Sequence, residues 1–154
     1  MPIKSFRGKI AMGSSDTIVL HTNNGSTGYR IKKLQIISEA PGTGNNEYVC
    51  KVFSIDPNVT AVSPATATVD FADNTLLAVA YYTDNSSSAG NPPGDIIIFD
   101  NITFNQDIYV TMQDATGNTI DCNYYIELEQ IKLDLNENTV ATLKDIRNIE
   151  AQSV

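Results

Sequence analysis

The sequence is poor in the residues from which most enzyme sites are built. It has one histidine, His21, and two cysteines, Cys50 and Cys122, far apart in the chain. This set cannot supply the closely spaced Cys and His ligands of a tetrahedral zinc site. A Ser-His-Asp or Cys-His nucleophile would have to use His21, yet no GxSxG motif accompanies it. A P-loop and a GxGxxG motif are also missing, so the sequence predicts no catalytic residue, no metal and no cofactor.

Charged residues are scarce as well, at 18% against 42% hydrophobic residues. That balance argues against a helical bundle or coiled coil, which would be rich in Ala, Glu, Lys and Leu. It also argues against a disordered acidic chain, despite a net charge of -8. The chain holds instead 15 Asn and 15 Thr, together with Ile, Val and Tyr. Such residues, broken by Asn-Gly, Asp-Asn and Pro-Gly pairs, favour an all-β domain.

Long apolar runs are absent too. No stretch reaches the roughly 18 apolar residues of a membrane span. The opening MPIKSFRGKIAMG has no apolar core of a secretory signal. We therefore expect a protein made in a cytoplasm, without a membrane partner. In that setting two buried free thiols are favoured for Cys50 and Cys122, and a disulfide would require their strands to be neighbours.

Short apolar runs separated by turn signals predict an antiparallel β-sandwich over residues 1–135, jelly-roll-like and with about eight strands. The runs that read as strands are 3–11, 17–22, 29–38, 47–55, 66–71, 76–83, 96–99, 107–113 and 120–133. The apolar parity changes at Lys32-Lys33 and again at Gln130, and each change predicts a β-bulge or a bend. The run 96–99 is apolar on both parities, which is typical of a strand covered on both faces.

Residues 136–154 form a different kind of segment. Val140, Leu143, Ile146 and Ile149 recur every three residues, with charged residues between them. This spacing predicts a short amphipathic C-terminal helix or tail. Its apolar stripe packs either on its own sandwich or on a neighbouring subunit.

Charge is distributed unevenly along the chain. Residues 1–33 hold six of the ten basic residues and only one of the eighteen acidic ones. These six are Lys4, Arg7, Lys9, Arg30, Lys32 and Lys33. They form either a solvated strand face or a basic edge that meets the acidic face of another copy. The acidic remainder repels nucleic acid and anionic membrane, so neither is an expected partner.

Carboxylates are numerous, but most of them stand in turn contexts such as Asp56-Pro57 and Asp73-Asn74. Aspartates in such positions cap backbone amides. A glycan hydrolase with two carboxylates about 5–9 Å apart stays a lesser alternative.

Several segments resemble small virion structural proteins of marine tailed bacteriophages, notably those of cyanobacteria. They are MPIKSFRGKIA, IVLHTNNGSTGYRI, FDNITFNQDIYVTMQD and NYYIELEQIKLDLNENTVATLKDIRN. The resemblance implies a β-sandwich on the particle that decorates the capsid or belongs to the tail. It implies the major capsid protein or other virion proteins as partners, and it supplies no catalytic residues. A homo-oligomer is expected, and a trimer would follow by analogy with symmetric virion proteins.

Two functions follow as hypotheses. The first is a capsid decoration or cement protein that adheres through the six basic residues and the terminal helix. The second is a tail or receptor-contacting module. In that case the loops 42–46 and 84–94, with exposed tyrosines, contact host glycan.

Overall fold

The computed structural model describes residues 2–20, 26–56, 66–84, 94–99 and 102–133. These residues form eight strands and no helix, which confirms the predicted all-β class. The strands are β1 (Ile3–Ile10), β2 (Ser14–Ile18), β3 (Thr27–Ser38), β4 (Glu47–Phe53), β5 (Leu76–Thr83), β6 (Gly94–Ile98), β7 (Ile108–Asp114) and β8 (Cys122–Lys132).

The strands build two antiparallel sheets of a β-sandwich. One is a three-stranded sheet in the order β1-β8-β3, and the other is a five-stranded sheet in the order β2-β7-β4-β5-β6. In a jelly roll of eight strands, β1 pairs with β8, β2 with β7, β3 with β6 and β4 with β5. The pairs β1–β8, β2–β7 and β4–β5 follow that order, whereas β6 pairs with β5 and not with β3. The fold is therefore jelly-roll-like, with its sixth strand moved to the five-stranded sheet.

The chain after β6 returns to the three-stranded sheet. The backbone amides and carbonyls of Tyr29 and Phe104 exchange two hydrogen bonds, with N···O distances of 2.8 and 3.0 Å. The two rings also stack, with centroids 6.3 Å apart. This contact attaches the segment before β7 to the edge of β3 at Tyr29.

Alternation along the central strands produces the core. On β8 the side chains of Cys122, Tyr124, Ile126 and Leu128 are buried between the sheets, as the parity predicts. On β7 the predicted inward residues Ile108, Val110 and Met112 are also fully buried. Both cysteines are free and buried, so the prediction of two buried thiols is confirmed.

A second apolar layer covers the outer side of the five-stranded sheet. Val49, Phe53, Leu76 and Val79 form this smaller cluster. Residues 66–71 pack over it as irregular chain, so the strand predicted there, and its hairpin with 76–83, are wrong. The segment is held by the Nζ of Lys51, which donates to the carbonyl of Thr68 at 2.8 Å. Because of this cover, Thr111 is 1% exposed although its parity predicts an outward side chain.

Three further predictions need correction. The second strand is Ser14–Ile18 and begins three residues before the predicted 17–22. The run 96–99 is not covered on both faces, because β6 is an edge strand with Ile96 44% and Ile97 39% exposed. The bulge at Gln130 is absent, since β8 keeps its register with β3 through this residue.

The bulge at Lys32-Lys33 is confirmed. The register between β3 and β8 shifts between Ile31 and Lys33, so Lys32 is the extra residue. A single inserted residue in β3 absorbs the phase change, and its partner β8 needs none. Ile31 and Leu34 are both buried as a result.

Several predictions lie outside the described residues. They include the C-terminal segment 136–154 with Val140, Leu143, Ile146 and Ile149. They also include His21 and positions 85–93 of the predicted glycan-contacting loop.

Gly8 on β1 provides the space that an aromatic ring requires. It lies opposite Tyr124, and a Cβ at Gly8 would stand 2.8 Å from a ring carbon of that tyrosine. The Tyr124 hydroxyl donates to Asp16 on β2 at 2.9 Å and so links the two sheets.

We expect Gly8→Val to lower the free energy of unfolding by about 2 kcal/mol, because the ring must move and leave Asp16. Urea denaturation measures the change, with Ser5→Val on the exposed side of β1 as the matched control. Equal stabilities of the two variants would contradict the close approach.

Candidate docking face and groove

The fold separates charge by sheet. The described residues include eight basic side chains, and seven of them stand on the strands of the three-stranded sheet. The eighth, Lys51, belongs to the five-stranded sheet and is only 5% exposed. The acidic strand residues of the five-stranded sheet are Asp16, Glu47, Asp95 and Asp114, against Glu127 and Glu129 in the other sheet. The molecule therefore has a basic sheet and an acidic sheet.

The basic residues gather on the outer face of the three-stranded sheet, the side that points away from the core. Directly paired residues of an antiparallel ladder share one face. The pairs on this face are Arg7–Tyr125, Lys9–Asn123, Arg30–Glu129 and Lys33–Glu127. Lys32, the bulge residue, approaches the same face through its Nζ, which lies 3.0 Å from Glu129 Oε2.

Lys4 departs from this arrangement. It pairs with the buried Leu128, so its side chain starts from the inner face. Its Nζ lies 5.8 Å from the centroid of the Tyr29 ring, a cation–π contact at the sandwich edge. The structure thus brings five of the six predicted basic residues together and places Lys4 elsewhere.

The charged contacts on the outer face are exposed and weak. Lys9 Nζ lies 2.8 Å from Glu39 Oε1, and the two side chains are 48% and 47% exposed. The hydrogen bond to Glu39 raises the pKa of Lys9. Lys33 Nζ stands 6.0 Å from the Tyr125 ring centroid. Exposed pairs of this kind contribute little stability, so the side chains can exchange these partners for those of another protein.

Residues of both sheets line a groove of about 1050 Å³. Its floor consists of three consecutive residues from each strand of the three-stranded sheet, namely 7–9 of β1, 123–125 of β8 and 35–37 of β3. Tyr81 and Tyr82 of β5 and residues 94–96 of β6 complete the lining. The sequence interpretation missed this groove, because its walls come from strands that only the tertiary fold brings together.

The signal for two of its residues was nevertheless present in the sequence. Inward parity of Cys122 and Tyr124 on β8 implies that Asn123 and Tyr125 point outward. What parity could not indicate is that β1 and β3 flank β8 and supply Arg7 and Gln35 on either side.

The predicted loop 42–46 is tied down by Asp84. The carboxylate of Asp84 accepts hydrogen bonds from the backbone amides of Gly42 at 3.2 Å and Asn46 at 3.0 Å. It also accepts one from Asn46 Nδ2 at 3.2 Å. Asn46 is fully buried, so this residue is committed to the fold and not to a ligand.

Asp114 has the same kind of structural role at the next loop. Its carboxylate accepts hydrogen bonds from the amide of Glu47 at 3.2 Å and from the amide of Thr116 at 2.7 Å. Within the described ranges, no group of three or more His, Cys, Asp or Glu side chains is placed to hold a metal ion.

Comparison with known proteins returned no match: no family model, no curated protein and no solved structure is similar to the chain. In the part of the chain that the structure describes, no helix is long and apolar enough to cross a membrane. The face and groove must therefore be interpreted from their own geometry.

Proposed function

We propose that the protein is a non-enzymatic structural protein of a phage virion, most simply a capsid decoration or cement protein. The observation that carries the proposal is the gathering of five basic residues on the outer face of the three-stranded sheet. In this proposal the face adheres to the major capsid protein or another virion protein. Complementary charge directs the encounter and sets the register of docking, while shape complementarity holds the contact.

The opposite charge of the two sheets supports a homo-oligomer. Of the acidic residues on the five-stranded sheet, Asp95 is exposed and Glu47 is half-buried, and these two can meet the basic outer face of another copy. Such a contact is heterologous, and it closes into a ring only where the rotation between copies allows it. A trimer is one such ring. The C-terminal segment 136–154 is the second proposed contact with neighbouring virion subunits.

We call the part of the outer face that carries Arg30, Lys32 and Lys33 the docking end. We expect Lys33→Glu to weaken binding to phage particles that lack the protein by about tenfold, because the change reverses charge at a close contact. Cosedimentation with particles at several protein concentrations measures the affinity. Binding by the unmodified protein should also weaken as salt is raised.

Lys132→Glu is the matched control, since it makes the same charge change on the same sheet. Lys132 pairs with Thr27 and follows the inner parity at the end of β8, so its side chain does not start from the outer face. If Lys33→Glu and Lys132→Glu bind equally well, the outer face is not the docking surface.

A second candidate function is contact with host glycan as a tail or receptor-binding module. The groove favours it, because its lining combines tyrosines with polar residues. Immunogold labelling of intact particles separates the two functions. Label over the head supports decoration, and label confined to the tail contradicts it.

A further inference from the structure

The groove has the size of a site for a small extended ligand. Its volume of about 1050 Å³ is at the upper end of small-molecule pockets. It lies on strands of a paired sheet, so its floor is rigid. Arg30, Lys32 and Lys33 of the docking end do not line the groove, although Lys33 Nζ stands 6.0 Å from the Tyr125 ring centroid.

Several tyrosines belong to the lining of the groove. Tyr125 stands on its floor, and Tyr81 and Tyr82 contribute to its lining. The hydroxyl of Tyr125 donates to Glu127 Oε1 at 2.7 Å, which fixes the ring on the sheet. An aromatic ring of this kind offers its face to the C–H side of a sugar while its polar end stays hydrogen-bonded.

Three polar side chains in the groove have no partner of their own. Within the residues that the structure describes, Arg7, Gln35 and Asn123 make no side-chain hydrogen bond or ion pair. An amide both donates and accepts, which suits the hydroxyl groups of a saccharide. The guanidinium of Arg7 donates in a planar fork that matches a carboxylate or sulfate.

The groove offers an acidic ligand a cationic contact, Arg7, beside Tyr125. Lys9 and Arg7 lie on the floor, and the pairing of Lys9 with Glu39 leaves Arg7 as the free cation. Among the described residues of the lining, Asp95 is the acidic one, and its carboxylate accepts the amide of Ile96 at 3.1 Å. Arg7 on β1 is paired with Tyr125 on β8, whereas Asp95 stands on β6, so a ligand anion meets Arg7 beside Tyr125.

We propose that this groove binds an acidic oligosaccharide, with Tyr125 as the stacking platform and Arg7 as the anion contact. Gln35 and Asn123 bind its hydroxyl groups. The proposal rests on the second candidate function and identifies its substrate class and site. The site differs from the predicted loop 42–46, whose polar groups are engaged by Asp84.

The test is titration of the full-length protein with alginate oligosaccharides, which carry one carboxylate on every sugar, followed by calorimetry. Dextran oligosaccharides serve as the neutral probe and hexaglutamate as the peptide polyanion. We expect alginate to bind more tightly than either. Arg7→Gln and Tyr125→Leu should each weaken alginate binding by about tenfold, the loss of one charge-assisted or stacking contact.

Tyr109→Leu is the control for Tyr125→Leu, because Tyr109 is a half-buried tyrosine on the five-stranded sheet. It should bind alginate like the unmodified protein, and thermal melting verifies that each variant is folded. The proposal fails if alginate binds no better than dextran, or if Arg7→Gln and Tyr125→Leu leave the affinity unchanged. Hexaglutamate binding of equal strength and equal dependence on these variants would also overturn it, because the groove would then be a peptide site.

The docking proposal and the saccharide proposal can be contradicted independently of each other. Lys32→Glu should weaken particle binding and should leave alginate binding within about twofold, since Lys32 does not line the groove and its Nζ lies against Glu129. A protein that binds alginate but not particles retains the saccharide site and loses the decoration function.

Discussion

Replacing Tyr48 with alanine is expected to lower the free energy of unfolding by about 4 kcal/mol, the cost of removing a large buried aromatic ring. Tyr48 is 0% exposed and stands on β4 against the inner side of the three-stranded sheet. Its hydroxyl is 3.0 Å from Ser38 Oγ on β3, so one side chain both fills the core and joins the sheets. Its ring also lies 6.1 Å from that of Tyr82.

Tyr48→Phe separates packing from hydrogen bonding. It keeps the ring and should cost only about 1 kcal/mol, because Ser38 Oγ still accepts the amide of Ala40 at 3.1 Å. Urea denaturation of both variants at pH 7 measures the two costs. A loss below about 1 kcal/mol for Tyr48→Ala would mean that the core packs differently around this residue.

Alkaline conditions are expected to unfold the protein through its two buried thiols. Burial raises the pKa of Cys50, and it raises the pKa of Cys122 from 9.0 to about 12. In the unfolded chain a thiol loses its proton above its ordinary pKa of 9.0, whereas folded Cys122 keeps it until about pH 12. The folded state then binds more protons, so stability falls as the pH rises. The loss is about 1.4 kcal/mol per pH unit for each such thiol.

The double variant Cys50→Ala/Cys122→Ala should lose the part of the pH dependence that comes from the thiols and keep the part from buried tyrosines such as Tyr48 and Tyr124, whose pKa values burial also raises. It should be less stable than the unmodified protein at pH 7 by about 2 kcal/mol, because two small cavities form. Between pH 9 and pH 10.5 its stability should fall less steeply, by about 2 kcal/mol for each thiol removed. Denaturation curves in the presence of a reductant measure both slopes. Parallel slopes in the two proteins would show that the thiols are not buried as the fold places them.

Local patterns determined much of the fold. Strand alternation on β7 and β8 depends on which side chains must leave water, so parity predicted the residues that face the main core. It did not predict the burial of Thr111, which segment 66–71 covers from the other side. The bulge at Lys32 was equally predictable, because the apolar residues before and after it must both face the core. The segment 66–71 was misjudged for the converse reason. Its Thr and Val content suits a strand, but in the described structure it packs over the outer side of the five-stranded sheet and pairs with none of the described strands.

Contacts that depend on distant strands were beyond local patterns. The run 96–99 is apolar on both parities, yet β6 lies at a sheet edge and its isoleucines are exposed. The charge bias of residues 1–33 predicted basic residues in one region of the chain. It did not reveal that Lys4 leaves the group, or that Glu127 and Glu129 stand among the others.

The amino-acid sequence by itself determined an all-β sandwich, free buried cysteines and a basic beginning, because hydrophobic periodicity and composition act over a few residues. Only the tertiary structure decided that β8 lies between β1 and β3. That pairing gathers Arg7, Lys33 and Tyr125 on one face and opens a groove beside β6. Strand order is set by long-range hydrogen bonding and packing, and no short segment of the chain carries that information.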